Sequence, residues 1–339
     1  MMASARSKHY INYIVIGAIT VIFSLLAIFG ALPRSIEVNL ERIAISMILA
    51  VSLNLVVGFL GELSLGHAGF MCVGAYLGGK VAVLLEGIFG NGILTLIISV
   101  LAGGLVAAAF GLIIGLPALR LRGDYLAIVT LAFGEIVRSV VMNLPEKYFG
   151  GTLGLETPRF DKNYLFIISF VFVLITLAVT NNLLKSKHGR AITSIRDNEI
   201  AAKAMGIDVT KYKLFVFMLS SFFAGIAGVL FSYSNYRIQS ANFDYNYSIE
   251  ILVMVVLGGI GSINGSLIAA TVITFLNVKL QTLLTGDLAV LQNLFYSLIL
   301  IVIIIYNNAP ALKSFREKYN TKTMLAKLKK KKNETKEGE

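Results

Sequence analysis

Cysteine occurs once in the 339 residues, as Cys72 within an apolar segment, so the chain can form neither an internal disulfide nor a thiolate cluster for a metal. Charge is scarce too. Only 14% of residues are charged against 56% hydrophobic, too little polar surface to cover a water-soluble fold, and the mean hydropathy of +0.78 makes the bilayer the solvent. Acids number 19 against 30 lysines and arginines. The resulting +11 would suit nucleic acid if it formed one surface. Instead it lies in intervals between apolar runs and in the C-terminal tail, a topological pattern that points to no nucleic-acid partner.

A membrane-crossing helix needs about 20 predominantly apolar residues. Ten runs are candidates: 10–31, 43–60, 68–85, 92–116, 125–144, 164–184, 214–233, 249–263, 266–284 and 288–306. The expected fold is therefore all-α, a polytopic helical membrane protein with about ten transmembrane or broken helices. The third and eighth runs are short and bounded by glycines, which suits broken or re-entrant segments covered by protein or water. The first run follows Arg6 and Lys8 but is longer than a signal-peptide core and lacks a clear cleavage site, so it reads as a retained span. Residues 1–308 then form the membrane domain and 309–339 a tail with ten Lys/Arg against four acids from Pro310 onward. With an even number of spans, the basic residues place both termini in the cytoplasm with Arg120, Arg122 and 185–213, and leave 145–163 outside. The run from Lys327 to Lys332 reads as an anchor at anionic membrane lipid.

The polar interval 185–213 carries the most information. Asp197 or Asn198 can cap a helix, Glu199 suits its positive end, the alanines favour helix, and Gly206 can end it in a left-handed conformation. The predicted helix is about seven residues, roughly 10 Å long, with an alanine face and with Ile200 and Met205 as apolar knobs. An ordinary amphipathic loop helix would share these features. The stretch also resembles the coupling loop of ABC-importer permeases, whose Glu-x-Ala-Ala-x-x-x-Gly pattern is matched by Glu199, Ala201, Ala202 and Gly206.

Four more segments, in family order, resemble the branched-chain amino acid permease family of LivM type. They are 52–70 (SLNLVVGFLGELSLGHAGF) with 74–76 (GAY), 115–135 (GLPALRLRGDYLAIVTLAFGE), 150–155 (GGTLGL) and 248–261 (SIEILVMVVLGGIG). One departure is Ser266 after Gly265, where that family commonly has proline; the expected consequence is only a less rigid turn. The resemblance implies a multi-pass permease subunit of the bacterial cell membrane. Its implied partners are a second related permease chain, two cytoplasmic ATPases and an extracytoplasmic binding protein. Specificity would rest mostly with that binding protein, and the membrane path would be lined chiefly by small and apolar groups. The chain's own residues agree with this division of labour: 74–80 (GAYLGGK) has the spacing of a phosphate-binding loop, but Val81 replaces the Ser/Thr that would hold magnesium and no strand precedes it.

The glycine-rich stretches 61–69 and 258–265 are candidate helix breaks, so Ser64, Gly66, His67, Gly258, Gly259 and Gly261 are candidate pathway residues. Close helix packing through small residues is the competing reading. Glu135 and Arg138, at i,i+3 spacing, are the charges deepest in a predicted span and serve either the pathway or an internal ion pair. His67 reads as a hydrogen-bonding core residue, without ligand-spaced partners for a metal. No catalytic group or cofactor-binding motif is evident, which argues against a membrane enzyme. An ion-coupled transporter would need more paired intramembrane acids than are present. The same importer class with other cargo, such as urea, short amides or other amino acids, stays open.

Overall fold

The structure, a computed structural model, describes residues 33–283 apart from 122, 159 and 161, with scattered positions between 16 and 26 and between 294 and 305. The chain divides into two compact units, Met1–Val278 and Lys279–Glu339. In the second, Thr282 Oγ1 donates to the Lys279 carbonyl at 2.9 Å in the final turn of the helix that ends at Leu283. The contacts described below belong to the first.

Among the described residues, seven helices are long and apolar enough to cross a bilayer: Arg34–Leu60, His67–Phe89, Ile93–Ala118, Asp124–Met142, Tyr164–Lys185, Val209–Asn235 and Ile263–Leu283. Each overlaps an apolar run found in the sequence. The expected runs 10–31 and 288–306 fall largely outside the described residues, and the basic tail does so entirely. The eighth run needs correction: its helix is Tyr245–Gly258, starting earlier than expected and stopping where Gly259 turns to φ 96°. At 14 residues it is short of a full crossing.

In chain order the elements are α1 (Arg34–Asn54), continued by a wide π-type turn Leu55–Leu60, then α2 (His67–Val73), joined through a second such turn Gly74–Gly78 to α3 (Gly79–Phe89). They continue with α4 (Ile93–Ala118), α5 (Asp124–Met142), α6 (Glu146–Phe149), β1 (Leu155–Glu156), α7 (Lys162–Lys185), α8 (Lys187–Asp197) and α9 (Glu199–Ala204). The last are α10 (Val209–Asn235), β2 (Arg237–Ile238), α11 (Tyr245–Gly258) and α12 (Ile263–Leu283).

Every residue of α1 from Ile43 to Asn54 is buried, as befits a helix apolar all round, and it packs against α7, α10 and α11. On α4 the buried positions Leu96, Ser99, Val100, Gly103 and Ala107 recur at three- and four-residue steps, while Leu94, Leu101, Leu105 and Ile113 are exposed. The exposed stripe is lipid-facing. The buried stripe lies along α10, where small residues replace the hydrophobic effect as the means of close approach. A Cβ on Gly74 would stand 2.4 Å from Gly225 Cα, and one on Gly228 2.1 Å from the Met71 carbonyl oxygen.

At the far end of α10, β1 and β2 pair antiparallel, Leu155 opposite Ile238 and Glu156 opposite Arg237, with a salt bridge between the latter two side chains. Thr157 Oγ1 donates to the Ser232 carbonyl at 2.7 Å and ties this strand pair to α10. At the other end, the 61–66 connection runs back into the bundle. His67 Nε2 lies 2.8 Å from Ser52 Oγ, eight positions before Leu60 and so about 12 Å along the helix axis.

The close contacts carry a prediction. Gly228→Ala sets a methyl group against backbone that cannot swing aside, an overpacking worth about 1–3 kcal/mol or more, and should cut the monodisperse fraction on gel filtration in detergent. Gly87→Ala, where an added Cβ meets nothing within 4 Å, should leave that fraction unchanged or higher.

Candidate functional site

Three cap residues organise the 185–213 interval. Ser186 Oγ accepts from the His188 and Gly189 amides and starts α8, Asn198 Oδ1 accepts from Ala201 N at 2.9 Å and starts α9, and Asp208 Oδ1 accepts from Lys211 N and starts α10. Asn198 is thus the cap that was narrowed only to Asp197 or Asn198. Helix α9 ends as expected: Gly206 sits at φ 82°, with Ile207 N donating to Ala202 O and Gly206 N to Lys203 O, the paired bonds that close a helix at a left-handed glycine.

One expectation for this segment requires correction. It holds two helices rather than one, because Ile192 and Ile195 of α8, three apart, are buried against the bundle; the surrounding polar residues disguised that pair. Of the alanines, Ala201 and Ala204, three apart on one face of α9, are exposed, whereas Ala202 is buried against the protein. The expected knobs do protrude, with Ile200 78% and Met205 82% exposed. Two bare apolar side chains give one short polar segment a small exposed apolar surface.

This surface is tied to the membrane helices at two points. The wide turn at Leu55–Leu60 breaks the regular i→i−4 ladder, and the Gly58 carbonyl accepts from Arg196 Nη1 at 3.1 Å. Gly61 follows at φ 82°, and a Cβ there would lie 2.7 Å from Arg196 Cγ, so the arginine stem needs glycine at that position. The second tie is ionic. Lys213 Nζ, its side chain 5% exposed, lies 2.5 Å from Glu62 Oε1 and 3.1 Å from Glu199 Oε2. Glu199 is therefore part of a partly buried bridge and not a detached surface residue.

The glycine-rich breaks meet at the same place. Asn54, fully buried, accepts from Gly261 N at 3.0 Å and donates to Ser266 Oγ at 2.8 Å. Gly258 packs on the Gly265 backbone, and both Gly259 (φ 96°) and Gly261 (φ 78°) are left-handed. Ser266 does more than loosen a turn. Its amide donates to the Ser262 carbonyl and its hydroxyl receives the Asn54 bond, two roles that proline would remove.

Ser64, Gly66 and His67 are all buried at the start of α2. The neighbouring amides there are already engaged: Leu65 N donates to Thr130 Oγ1 and Ala68 N to Ser248 Oγ, both at 3.0 Å. A Cβ on Gly66 would come within 2.3 Å of the Thr130 carbonyl oxygen, so packing accounts for that glycine. Glu135 and Arg138 form a salt bridge at 3.0 Å, and Glu135 Oε1 also accepts from Tyr245 N, joining α5 to the start of α11. They are not the most buried charges. Glu41 (1% exposed), Glu37 (5%) and Lys213 (4%) are more deeply enclosed. Sequence reasoning missed the first two because it began the second span at residue 43, leaving them in a supposed loop. The signal available was Asn54 and Ser52 inside a long apolar run, where a buried polar side chain requires a partner.

Removing one member of the ionic bridge strands the others. Lys213→Met should cost about 3–5 kcal/mol if Glu62 remains charged, read as a lower thermal unfolding midpoint. Adding Glu62→Gln should recover much of that loss, and a double-mutant cycle on the midpoint measures the coupling.

Residues 36–306 match the family model described as branched-chain amino acid transport system / permease component. The high-affinity branched-chain amino acid transport system permease protein LivM of Salmonella typhimurium is 34% identical over 263 residues, 68% of this chain and 60% of that protein. LivM of Escherichia coli strain K12 is 34% identical over 260 residues, 67% of this chain and 59% of its own length. A probable branched-chain amino acid transport permease protein LivM of Methanocaldococcus jannaschii is 29% identical over 266 residues, 68% of this chain and 76% of the relative. The match therefore spans about three fifths of the two enterobacterial relatives. No solved structure matches. With a family model covering most of its length and the multi-helix membrane architecture in place, the chain belongs to the branched-chain amino acid transport system permease family.

Proposed function

We propose that this chain is a transmembrane permease subunit of an ATP-driven importer of branched-chain amino acids, forming part of the translocation pathway by alternating access. The observation that carries this reading is the α8–α9 segment, which presents Ile200 and Met205 outward while Arg196 and Glu199 tie it to Gly58 and, through Lys213, to Glu62. An ordinary loop helix needs no such ties. Here a force applied to the exposed knobs reaches the break in the first described span through two polar links. The proposed partners are two cytoplasmic ATPases docking on α9, a second related permease chain and an extracytoplasmic binding protein. ATP hydrolysis occurs in the ATPase chains.

In this scheme both termini and the coupling segment lie in the cytoplasm of a bacterial cell, while the β1–β2 strand pair faces outward. The packing is consistent with it: α10 connects the coupling segment at one end to the strand pair at the other. Gly258, Gly259 and Gly261 form the hinge-like break beside Asn54, and Ser64, Gly66 and His67 form the other. Glu135 and Arg138 act as a tie between helices. The importer name rests on similarity to the LivM proteins, which are named for branched-chain amino acid transport.

Uptake and docking are separable tests. Ile200→Asp and Gly206→Arg should reduce copurification of the ATPase chains and lower leucine uptake by the reconstituted complex about ten-fold or more, as expected for loss of an apolar docking anchor. The permease should remain monodisperse, since neither side chain is packed inside the bundle. Glu199→Lys should instead destabilise the chain as well as uncouple it, because it faces Lys213. Unchanged uptake with Gly206→Arg would remove α9 from the coupling mechanism, and uptake of urea but not leucine would overturn the cargo.

Cysteines introduced one at a time at positions 200 and 153 test orientation. An impermeant maleimide added to intact cells should label position 153 and leave position 200 unlabelled until the membrane is opened. The reverse pattern would invert the topology.

A further inference from the structure

At the end of α1 opposite the coupling segment is a cavity of about 250 Å³, below the usual range for drug-sized ligands and suited to a small solute. Arg34 and Glu41 of α1, Tyr233 and Ser234 of α10, Tyr236 and Phe160 line it, with Leu165 of α7. Glu41 is 1% exposed. Its Oε2 accepts from Ser234 Oγ at 2.6 Å, while Oε1, equally buried, has no hydrogen-bond partner among the described residues. A carboxylate oxygen out of water without a donor is costly, and native structures seldom leave one so. What Glu41 Oε1 lacks among the described residues is a donor, and a positively charged N–H is the one that suits a carboxylate.

The remaining walls narrow the chemistry of that donor. Arg34 reaches Glu37 through one nitrogen, Nη1, at a long 3.4 Å, and its side chain is 45% exposed, so that among the described residues the rest of the guanidinium fork has no partner and can take a carboxylate. Phe160 and Tyr233 stand edge to face with ring centroids 6.4 Å apart, an apolar wall continued by Leu165. Anion acceptor, cation donor and apolar wall in one small cavity match the three parts of an apolar α-amino acid. A divalent ion is a poorer fit: calcium takes 6–8 oxygen ligands, and the cavity offers one carboxylate and a few hydroxyls.

We infer that this cavity is a binding site for an amino-acid zwitterion, with Glu41 receiving the ammonium, Arg34 the carboxylate, and Phe160, Tyr233 and Leu165 the side chain. The choice of leucine as probe rests on the cargo reading above. With Arg34 half exposed, one of the two charged ends stays partly in water. The site therefore holds its ligand weakly, as a transit point at the outer mouth requires.

The test uses the full chain assembled with its partner subunits in phosphatidylcholine nanodiscs, a lipid with no primary ammonium to compete. Equilibrium binding is measured for labelled leucine, for 3-methylbutylamine, which lacks the carboxylate, and for 4-methylpentanoate, which lacks the ammonium. Glu41→Gln should weaken leucine and 3-methylbutylamine by about ten-fold, the worth of a charge-assisted hydrogen bond, and leave 4-methylpentanoate unchanged. Arg34→Gln should do the converse, and Glu41→Asp should restore part of the leucine affinity. Should Glu41→Gln fail to assemble, a diazirine analogue of leucine photolysed in the wild-type complex should label the peptides bearing Phe160 or Tyr233, and excess leucine should suppress the label. Equal leucine binding in an assembled Glu41→Gln complex, or labelling confined to other peptides, would overturn the inference. A wild-type complex that takes up leucine yet binds no amino acid here overturns this site and leaves the importer reading intact. Glu41-dependent binding and uptake of a different amino acid supports the site and overturns the leucine assignment alone.

Discussion

Burying the ammonium of Lys213 in an apolar bundle costs several kcal/mol unless anions meet it, and the arrangement of the α8–α9 end of the bundle follows from how that is solved. One anion, Glu62, comes from the connection after the first described span; the other, Glu199, comes from the first residue of α9. Neither carboxylate can move far without leaving a charge unmatched. The bridge thus holds three segments distant in sequence to one geometry, and the neighbouring Arg196 bond to Gly58 fixes α8 against the same turn. Apolar contacts alone would let α9 slide; directional polar bonds do not.

A second constraint is backbone proximity. Gly58 lies within van der Waals reach of Gly261, and Asn54 spans the gap with one bond to the Gly261 amide and one to Ser266. Side chains larger than hydrogen would push the two breaks apart and strand the Asn54 amide in the core. A wide π-type turn at Leu55–Leu60 contains Gly58, and a second at Gly74–Gly78 packs on α10 through Gly225 and Val229. Such turns have poorer hydrogen-bond geometry than the α-helix and are tolerated where other groups take up the freed carbonyls.

Apolar length made the membrane architecture legible: all seven long helices overlap runs read from the sequence, since spanning a bilayer leaves little freedom in composition. Gly206 and Asn198 were legible for a local reason, because capping depends on a few adjacent residues. What could not be read was partnership at long range. Lys213 looked like the end of a basic loop, and only the fold brings Glu62, 151 positions away, to it. Glu41 looked like loop charge because α1 begins at Arg34, well before its uninterrupted apolar run. The serine at 266 looked incidental for the same reason: its partner Asn54 is 212 positions distant.

The polar groups of α1 fall at its two ends, Arg34 and Glu41 at one and Ser52 and Asn54 at the other, with a buried and almost wholly apolar stretch between them. A regular helix enclosed on all sides resists bending, because close packing leaves no room for side chains to rearrange independently. From Glu41 to Asn54 the helix runs about 20 Å at the helical rise. Displacement imposed at the α8–α9 end is therefore taken up at the wide turn after Asn54 or carried along α1 as a rigid body to the Glu41 end. Those two responses separate cleanly: the first opens the glycine breaks beside Asn54 alone, whereas the second changes both ends together, which is the geometry the proposed alternating access requires.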